Sequence, residues 1–245
     1  GLTQYHADHI PGAHYLSLND DLSGPVIPNQ TGRHPLPSRD LLGHKLGQIG
    51  IQSGTQVVAY DQNNGAFAAR LWWLLRWLGH ETVQVLNGGY DDWRAQDRPV
   101  TSDLPAPRPA PFALQTPLTR IMRQLDWNDP KNRLIDARDP ARFRGDHEPI
   151  DPVAGHIPGA LNLPFLDNLE NGRFKNAPAL AKQFTSAGLG DAQSLVCYCG
   201  SGVTATQMIL ALLEAGYPEP ALYPGSWSEW ILDPEHIAAL SDATR

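Results

Sequence analysis

The chain has 245 residues, 41% hydrophobic and 18% charged, which describes a folded protein with room for two domains of about 120 residues each. A net charge of −7 excludes the basic footprint of a nucleic-acid binder. The nearest approach to a membrane span, Leu71 to Leu78, is short and interrupted by Arg76, so no membrane partner is expected. Cys197 and Cys199 stand at alternate positions of one apolar run, a poor geometry for a disulfide. They read as reduced thiols of a cytoplasmic protein.

Taken in chain order, the first signal is the turn His9-Ile10-Pro11-Gly12-Ala13. Only eight residues precede it and they contain no strand pattern, so a chain shortened at its N-terminus is expected. Ser23 to Leu36 is rich in Pro, Gly and Asn and reads as a loop that includes Arg33 and His34. Gln56 to Tyr60 predicts a strand, followed by the loop Asp61-Gln62-Asn63-Asn64-Gly65. Ala66 to Leu78 predicts a helix ended by Gly79, and Val83 to Leu86 a further strand. Pro99 to Pro117 holds six prolines and little apolar periodicity, so it reads as a stiff linker.

The second half repeats the first. His156-Ile157-Pro158-Gly159-Ala160 returns at an offset of 147, and Leu86 to Trp93 has its counterpart in Tyr223 to Trp230 at an offset of 137. The difference of ten places an insertion in the first copy, at Ser23 to Leu36. Strands over Arg133–Ala137, Ser194–Tyr198 and Ala221–Tyr223 alternate with a helix over Ala205–Ala215 that ends at Gly216. A tandem duplication follows, with domains over 1–100 and 118–245 joined by a linker over 101–117. Each domain is expected to be α/β, a parallel sheet with helices on both faces.

In such sheets ligands bind beyond the carboxyl ends of the strands. There the second copy carries Cys199-Gly200-Ser201-Gly202-Val203-Thr204. Two glycines allow a tight curl, and successive N–H groups with a helix N-terminus should favour a thiolate nucleophile at Cys199. Cys197 reads as core packing. The first copy holds Asp61 where Cys199 stands, so one active and one silent domain are expected. His9 and His156 read as turn-stabilising. No metal-ligand cluster, phosphate loop or dinucleotide motif appears, so no cofactor is expected.

On both His-Ile-Pro-Gly-Ala turns, the six-residue cysteine loop and Gly225-Ser226-Trp227-Ser228-Glu229-Trp230, the chain resembles the two-domain rhodanese family. Its Cys199–Thr204 loop resembles the 3-mercaptopyruvate sulfurtransferase branch. The resemblance implies a cysteine that takes sulfur from a small donor, 3-mercaptopyruvate or thiosulfate. The sulfur is held as a persulfide and passed to a thiol or cyanide acceptor. It further implies that Arg142 contacts the donor carboxylate and that His34 assists proton transfer with Ser201. The sequence departs from the family pattern at Ile150, which follows Pro149 where a second substrate arginine is expected, and at Asn19, where an aspartate is expected. Rival readings are a cysteine phosphatase, a non-catalytic or regulatory binding module, and a persulfide relay to a partner protein. The phosphatase needs an arginine six positions after its cysteine, and Ala205 stands there.

Overall fold

The computed structural model describes residues 1–106, 108–123, 126–127, 129–190 and 194–243, the last three by backbone only. The chain forms two compact units, one of residues 1–24 and 36–118, the other of 25–35 and 119–245.

In the first unit, α1 (Leu2–Ala7) precedes the His9 turn and α2 (Arg39–Gln48) follows the excluded segment. Strands β1 (Val57–Ala59) and β2 (Val83–Val85) pair in parallel across α3 (Ala66–Trp77), and α4 (Gly89–Ala95) closes the repeat motif. Helix α3 is apolar almost all round, as a helix enclosed by its neighbours must be. Trp73, Leu74 and Leu75 are fully buried, as are Leu42 and Leu46 of α2.

Residues 101–118 fall within the first unit rather than standing free as a linker. Pro107 of this segment lies outside the described residues. The physical reason is hydrogen bonding at helix ends. Ala110 N–H donates to Gly47 O of α2 (2.9 Å), Gln115 N–H to Leu78 O (2.9 Å), and Leu118 N–H to Arg76 O of α3 (3.0 Å). The last carbonyls of a helix have no partner within it, and this strap supplies donors to two helices.

The second unit contains β3 (Arg120–Ile121), β4 (Asn132–Asp136), α5 (Pro140–Arg144) and β5 (Leu161–Asn162). A hairpin of β6 (Leu169–Glu170) and β7 (Arg173–Phe174) turns through Asn171 and Gly172. Then come α6 (Ala177–Ser186), β8 (Ser194–Tyr198), α7 (Thr204–Glu214), β9 (Ala221–Leu222), α8 (Ser226–Trp230) and α9 (Pro234–Ala243). Among the described residues one sheet runs β3-β9-β8-β4-β5, and every neighbouring pair is parallel. Parallel strands are covered on both faces, so β8 reads as a continuous apolar run and Val196, Cys197 and Tyr198 are fully buried. Trp227 and Trp230 stack at 5.3 Å in a core with Leu134, Ile157 and Val196. No helix among the described residues is long and apolar enough to cross a membrane.

The duplication is visible in hydrogen bonds as well as sequence. Ile10 N–H donates to Tyr60 Oη (3.3 Å), and Ile157 N–H donates to Tyr198 Oη (3.2 Å). Tyr90 N–H reaches Asp61 O, and Trp227 N–H reaches Cys199 O, both at 3.0 Å. His9 stacks on Tyr5 and His156 on Phe143, each ring nitrogen meeting that partner's carbonyl oxygen.

Candidate active site

Strand β8 ends at Tyr198 and delivers Cys199 into a five-residue turn before α7 begins at Thr204. The turn depends on Gly202, whose φ is +76° and where any Cβ would lie 2.4 Å from Pro224 O. Gly202 N–H donates to Cys199 Sγ at 3.2 Å, so the sulfur faces into the curl. Val203 is the residue immediately before α7, and its carbonyl accepts from Thr206 Oγ1 at 2.7 Å. Cys199 is 2% exposed and Ser201 6%, so both side chains are nearly enclosed.

The first unit displays what such a loop does with a negative charge. Asp61 Oδ1 accepts N–H bonds from Asn63 (2.8 Å) and Gly65 (2.9 Å), and Oδ2 from Phe67 (2.7 Å) and Ala68 (2.8 Å). Four converging donors form an anion nest, which the unit fills with its own carboxylate. The second unit has a sulfur atom at the corresponding position.

The Cys199 backbone is held from α8. Cys199 N–H donates to Ser226 Oγ (3.1 Å), whose hydroxyl donates onward to Tyr223 O (3.0 Å). Ser226 has φ +54°, in the left-handed region that favours glycine, and its counterpart Gly89 has φ +59°. The second copy keeps the glycine-like backbone while adding a hydroxyl that the cysteine uses. In the sequence Ser226 stands only as part of a repeated motif, with no role for its hydroxyl; the Gly89-to-Ser226 exchange between the repeats was the available signal.

The segment 25–35 supplies two further groups. His34 Nδ1 and Ser201 Oγ share a hydrogen bond of 2.7 Å. Arg33 N–H donates to Ser228 Oγ at 3.1 Å, and its guanidinium pairs with Asp151. The ten-residue insertion in the first copy is therefore the piece that the second unit takes up. Its composition revealed an insertion but not its destination. Asp20 and Asp21, beside Asn19, are engaged within the first unit by Ser17 and Lys45.

Arg142 of α5 also reaches the loop. Its Nε and Nη2 make a fork onto Glu148 at 2.8–3.2 Å, and Nη2 also reaches Asp151 at 3.1 Å. Arg138 continues the series, bonding Asp136 at 2.7 Å and Glu148 at 3.4 Å while lying over the Trp227 ring. Burial alone would raise the Glu148 carboxyl. The Arg142 hydrogen bonds and the N–H groups of Asp151 and Ile150 outweigh it and hold the group below the usual carboxylate range. Burial pushes the Cys197 thiol far up, with Cys199 adding to the shift, so Cys197 stays protonated.

A methyl group built on Gly200 would lie 2.9 Å from Arg33 Nη2 and 3.4 Å from both terminal nitrogens of Arg142. The loop sequence contains no cation, yet two guanidiniums converge on it. The structure thus brings together Cys199, Gly200, Ser201, Gly202, Val203 and Thr204 with His34 and Arg142, and adds Arg33, Asp151, Glu148 and Ser226. Ile150 is 57% exposed and contributes no charge.

Residues 3–96 and 119–233 both match the Rhodanese-like domain. A probable 3-mercaptopyruvate sulfurtransferase of Pseudomonas aeruginosa is 47% identical over 99% of this chain and 88% of its own length. The mouse thiosulfate sulfurtransferase is 37% identical over 93% of this chain and 78% of its own. Among solved structures, the Leishmania major 3-mercaptopyruvate sulfurtransferase is 30% identical and superposes with a TM-score of 0.83, covering 98% of this chain and 69% of that one. The Escherichia coli protein SseA, also a 3-mercaptopyruvate enzyme, is 30% identical with a TM-score of 0.79, over 93% of this chain and 86% of its own. With both halves matched and such a relative spanning nearly its whole length, the chain belongs to the two-domain rhodanese family of sulfurtransferases.

Proposed function

We propose that the second unit transfers sulfur from 3-mercaptopyruvate to a thiol or cyanide acceptor through a persulfide on Cys199. The observation that carries this reading is the cysteine sulfur that accepts the Gly202 N–H inside the loop, at the position whose counterpart in the first unit holds a carboxylate among four N–H donors. The Cys199 thiolate attacks the donor sulfur. An S–S bond forms, the C–S bond breaks, and its electron pair leaves on carbon as the enolate of pyruvate. The His34–Ser201 pair supplies the proton that converts the enolate to pyruvate. Gly200, Gly202 and the N–H groups of Ser201, Val203 and Thr204 stabilise the negative charge of the persulfide. The acceptor then attacks the outer sulfur and the Cys199 thiolate departs. Thiosulfate enters by the same attack, with sulfite as the leaving group.

Arg142 meets the donor carboxylate in this scheme, a task suited to a planar guanidinium. A monoanionic donor suits a site whose guanidiniums are already partnered by carboxylates, which supports mercaptopyruvate over the thiosulfate dianion. The free thiolate that the cycle regenerates fits a reducing, cytoplasmic compartment.

The test is intact mass after donor treatment, with initial rates on 3-mercaptopyruvate and thiosulfate compared in one preparation. One sulfur should add to the wild type and to Cys197→Ala, and none to Cys199→Ser. The kcat/KM should be higher for 3-mercaptopyruvate. Substantial turnover by Cys199→Ser ends the proposal, and a preference for thiosulfate reassigns the donor.

A further inference from the structure

We propose that Arg33, carried by the inserted segment 25–35, is a donor-binding residue that with Arg142 forms a two-cation clamp on the anionic head group of the sulfur donor. The inference rests on the sulfurtransferase reading and names a residue of the same site that neither the loop motif nor α5 contains.

Three observations carry it. First, the position is right. Arg33 Nη2 comes closer to a methyl built on Gly200 than either terminal nitrogen of Arg142 does, 2.9 Å against 3.4 Å, and Gly200 is the residue after the nucleophile. A methyl at position 200 would push the Arg33 guanidinium aside and touch that of Arg142, so the glycine leaves both where they stand.

Second, the charge arrangement is directional. Asp151 pairs with both guanidiniums, and Glu148 pairs with Arg142. The side chains of these carboxylates are only 2% and 3% exposed, whereas those of Arg33 and Arg142 are 32% and 16% exposed. An incoming anion therefore meets positive charge, with the balancing negative charge covered. A guanidinium has five N–H donors, so pairing with one carboxylate leaves others for a ligand. Asp151 acts here as a positioning residue that brings two cations from distant parts of the chain to one place.

Third, Arg33 is pinned where it is needed. Its own N–H donates to Ser228 Oγ, Ser228 N–H donates to Gly200 O at 2.9 Å, and the next residue, His34, bonds Ser201. One short stretch of the insertion thus carries both a proton-transfer group and a cation.

The test separates anion binding from loop positioning. Wild type, Arg33→Gln and Arg33→Lys are assayed with 3-mercaptopyruvate and with its methyl ester, which has the same C–S bond and no carboxylate. Arg33→Gln should raise KM for the acid by roughly ten- to a hundredfold, the range of one charge-assisted contact, with kcat changed far less. The ester should be used within about twofold of wild type, a margin well below that same contact range. Arg33→Lys, which keeps the charge but not the fork, should fall between. An unchanged KM for the acid overturns the inference, and so does an equal loss on acid and ester, which would mark Arg33 as support for His34. If wild type gains a sulfur on Cys199 while Arg33→Gln behaves as wild type, this inference alone fails. If wild type gains none, the sulfurtransferase reading fails with it.

Discussion

His34 Nδ1 lies 2.7 Å from Ser201 Oγ although 167 positions separate the two residues. The histidine belongs to the first copy of the repeat and the serine to the second, yet both lie in one compact unit. In the proposed mechanism the pair moves a proton as one unit, so its two members should respond together. His34→Ala and Ser201→Ala should each lower kcat by roughly a hundredfold, within the usual range for general acid–base groups. The double variant should lose little more than either single one. Steady-state rates on the four proteins decide it, and additive losses would break the coupling.

Glu148 makes a pH-dependent contribution to folding. Its carboxyl is held below its ordinary value of 4.5 in the folded protein. A group whose folded pKa is depressed stabilises fully above its unfolded pKa and loses that contribution as pH falls through the folded value. Glu148→Gln should therefore destabilise at pH 7, by about 3 kcal/mol for a broken buried pair. The gap from wild type should narrow as pH drops below about 4.5, the unfolded value of a glutamate. Urea melts at three pH values measure this, and a gap independent of pH would refute it.

Ser226 trades backbone ease for a hydrogen bond from the Cys199 N–H. Ser226→Ala keeps the left-handed φ of +54° and leaves Cys199 N–H without its acceptor. Ser226→Gly loses the acceptor but relieves the backbone. The glycine variant should be more stable than the alanine variant by about 1 kcal/mol, while both form the persulfide more slowly than wild type. Thermal melting and rapid-quench mass analysis give the two readouts. An alanine variant as stable as the glycine variant would show that the φ carries no strain.

Asp61 holds together the loop of the first unit. Asp61→Ala should destabilise the protein by about 2 kcal/mol, in line with the loss of a strong helix cap. Sulfur transfer per folded molecule should be unchanged. Asp61→Asn keeps part of the acceptor set and should fall between. Differential scanning calorimetry alongside the rate assay tests both halves, and a rate loss in folded Asp61→Ala would give the first unit a role in the chemistry.

Much of the architecture was legible because it rests on local rules. The strand over 194–198 was read from β-branched and apolar runs at its observed bounds, and the helix ends near Gly79 and Gly216 from glycine at a C-terminus. Elements with weak periodicity, such as α2 and the two-residue strands β3 and β5, escaped notice because few residues carry their pattern. Cys199 stood out as the candidate nucleophile from its glycines, whereas Ser226 was legible only as part of a repeated motif, because a serine in a turn has many ordinary uses.

By itself the sequence determined the duplication, the parallel α/β plan, the cysteine in the curled loop and the family, since each is written in residues close together along the chain. The resemblance pointed His34 toward Ser201, but only the tertiary structure decided where the insertion as a whole, and Arg33 with it, goes. Folding carries Arg33 and His34 to Cys199-Gly200-Ser201 and sets Asp151 between two arginines. Contacts across more than a hundred positions depend on shape and charge complementarity between surfaces, and no local pattern encodes those. The same reason makes the proline-rich stretch a strap rather than a linker: its partners are helix-end carbonyls far back in the chain, exposed only once α2 and α3 have formed.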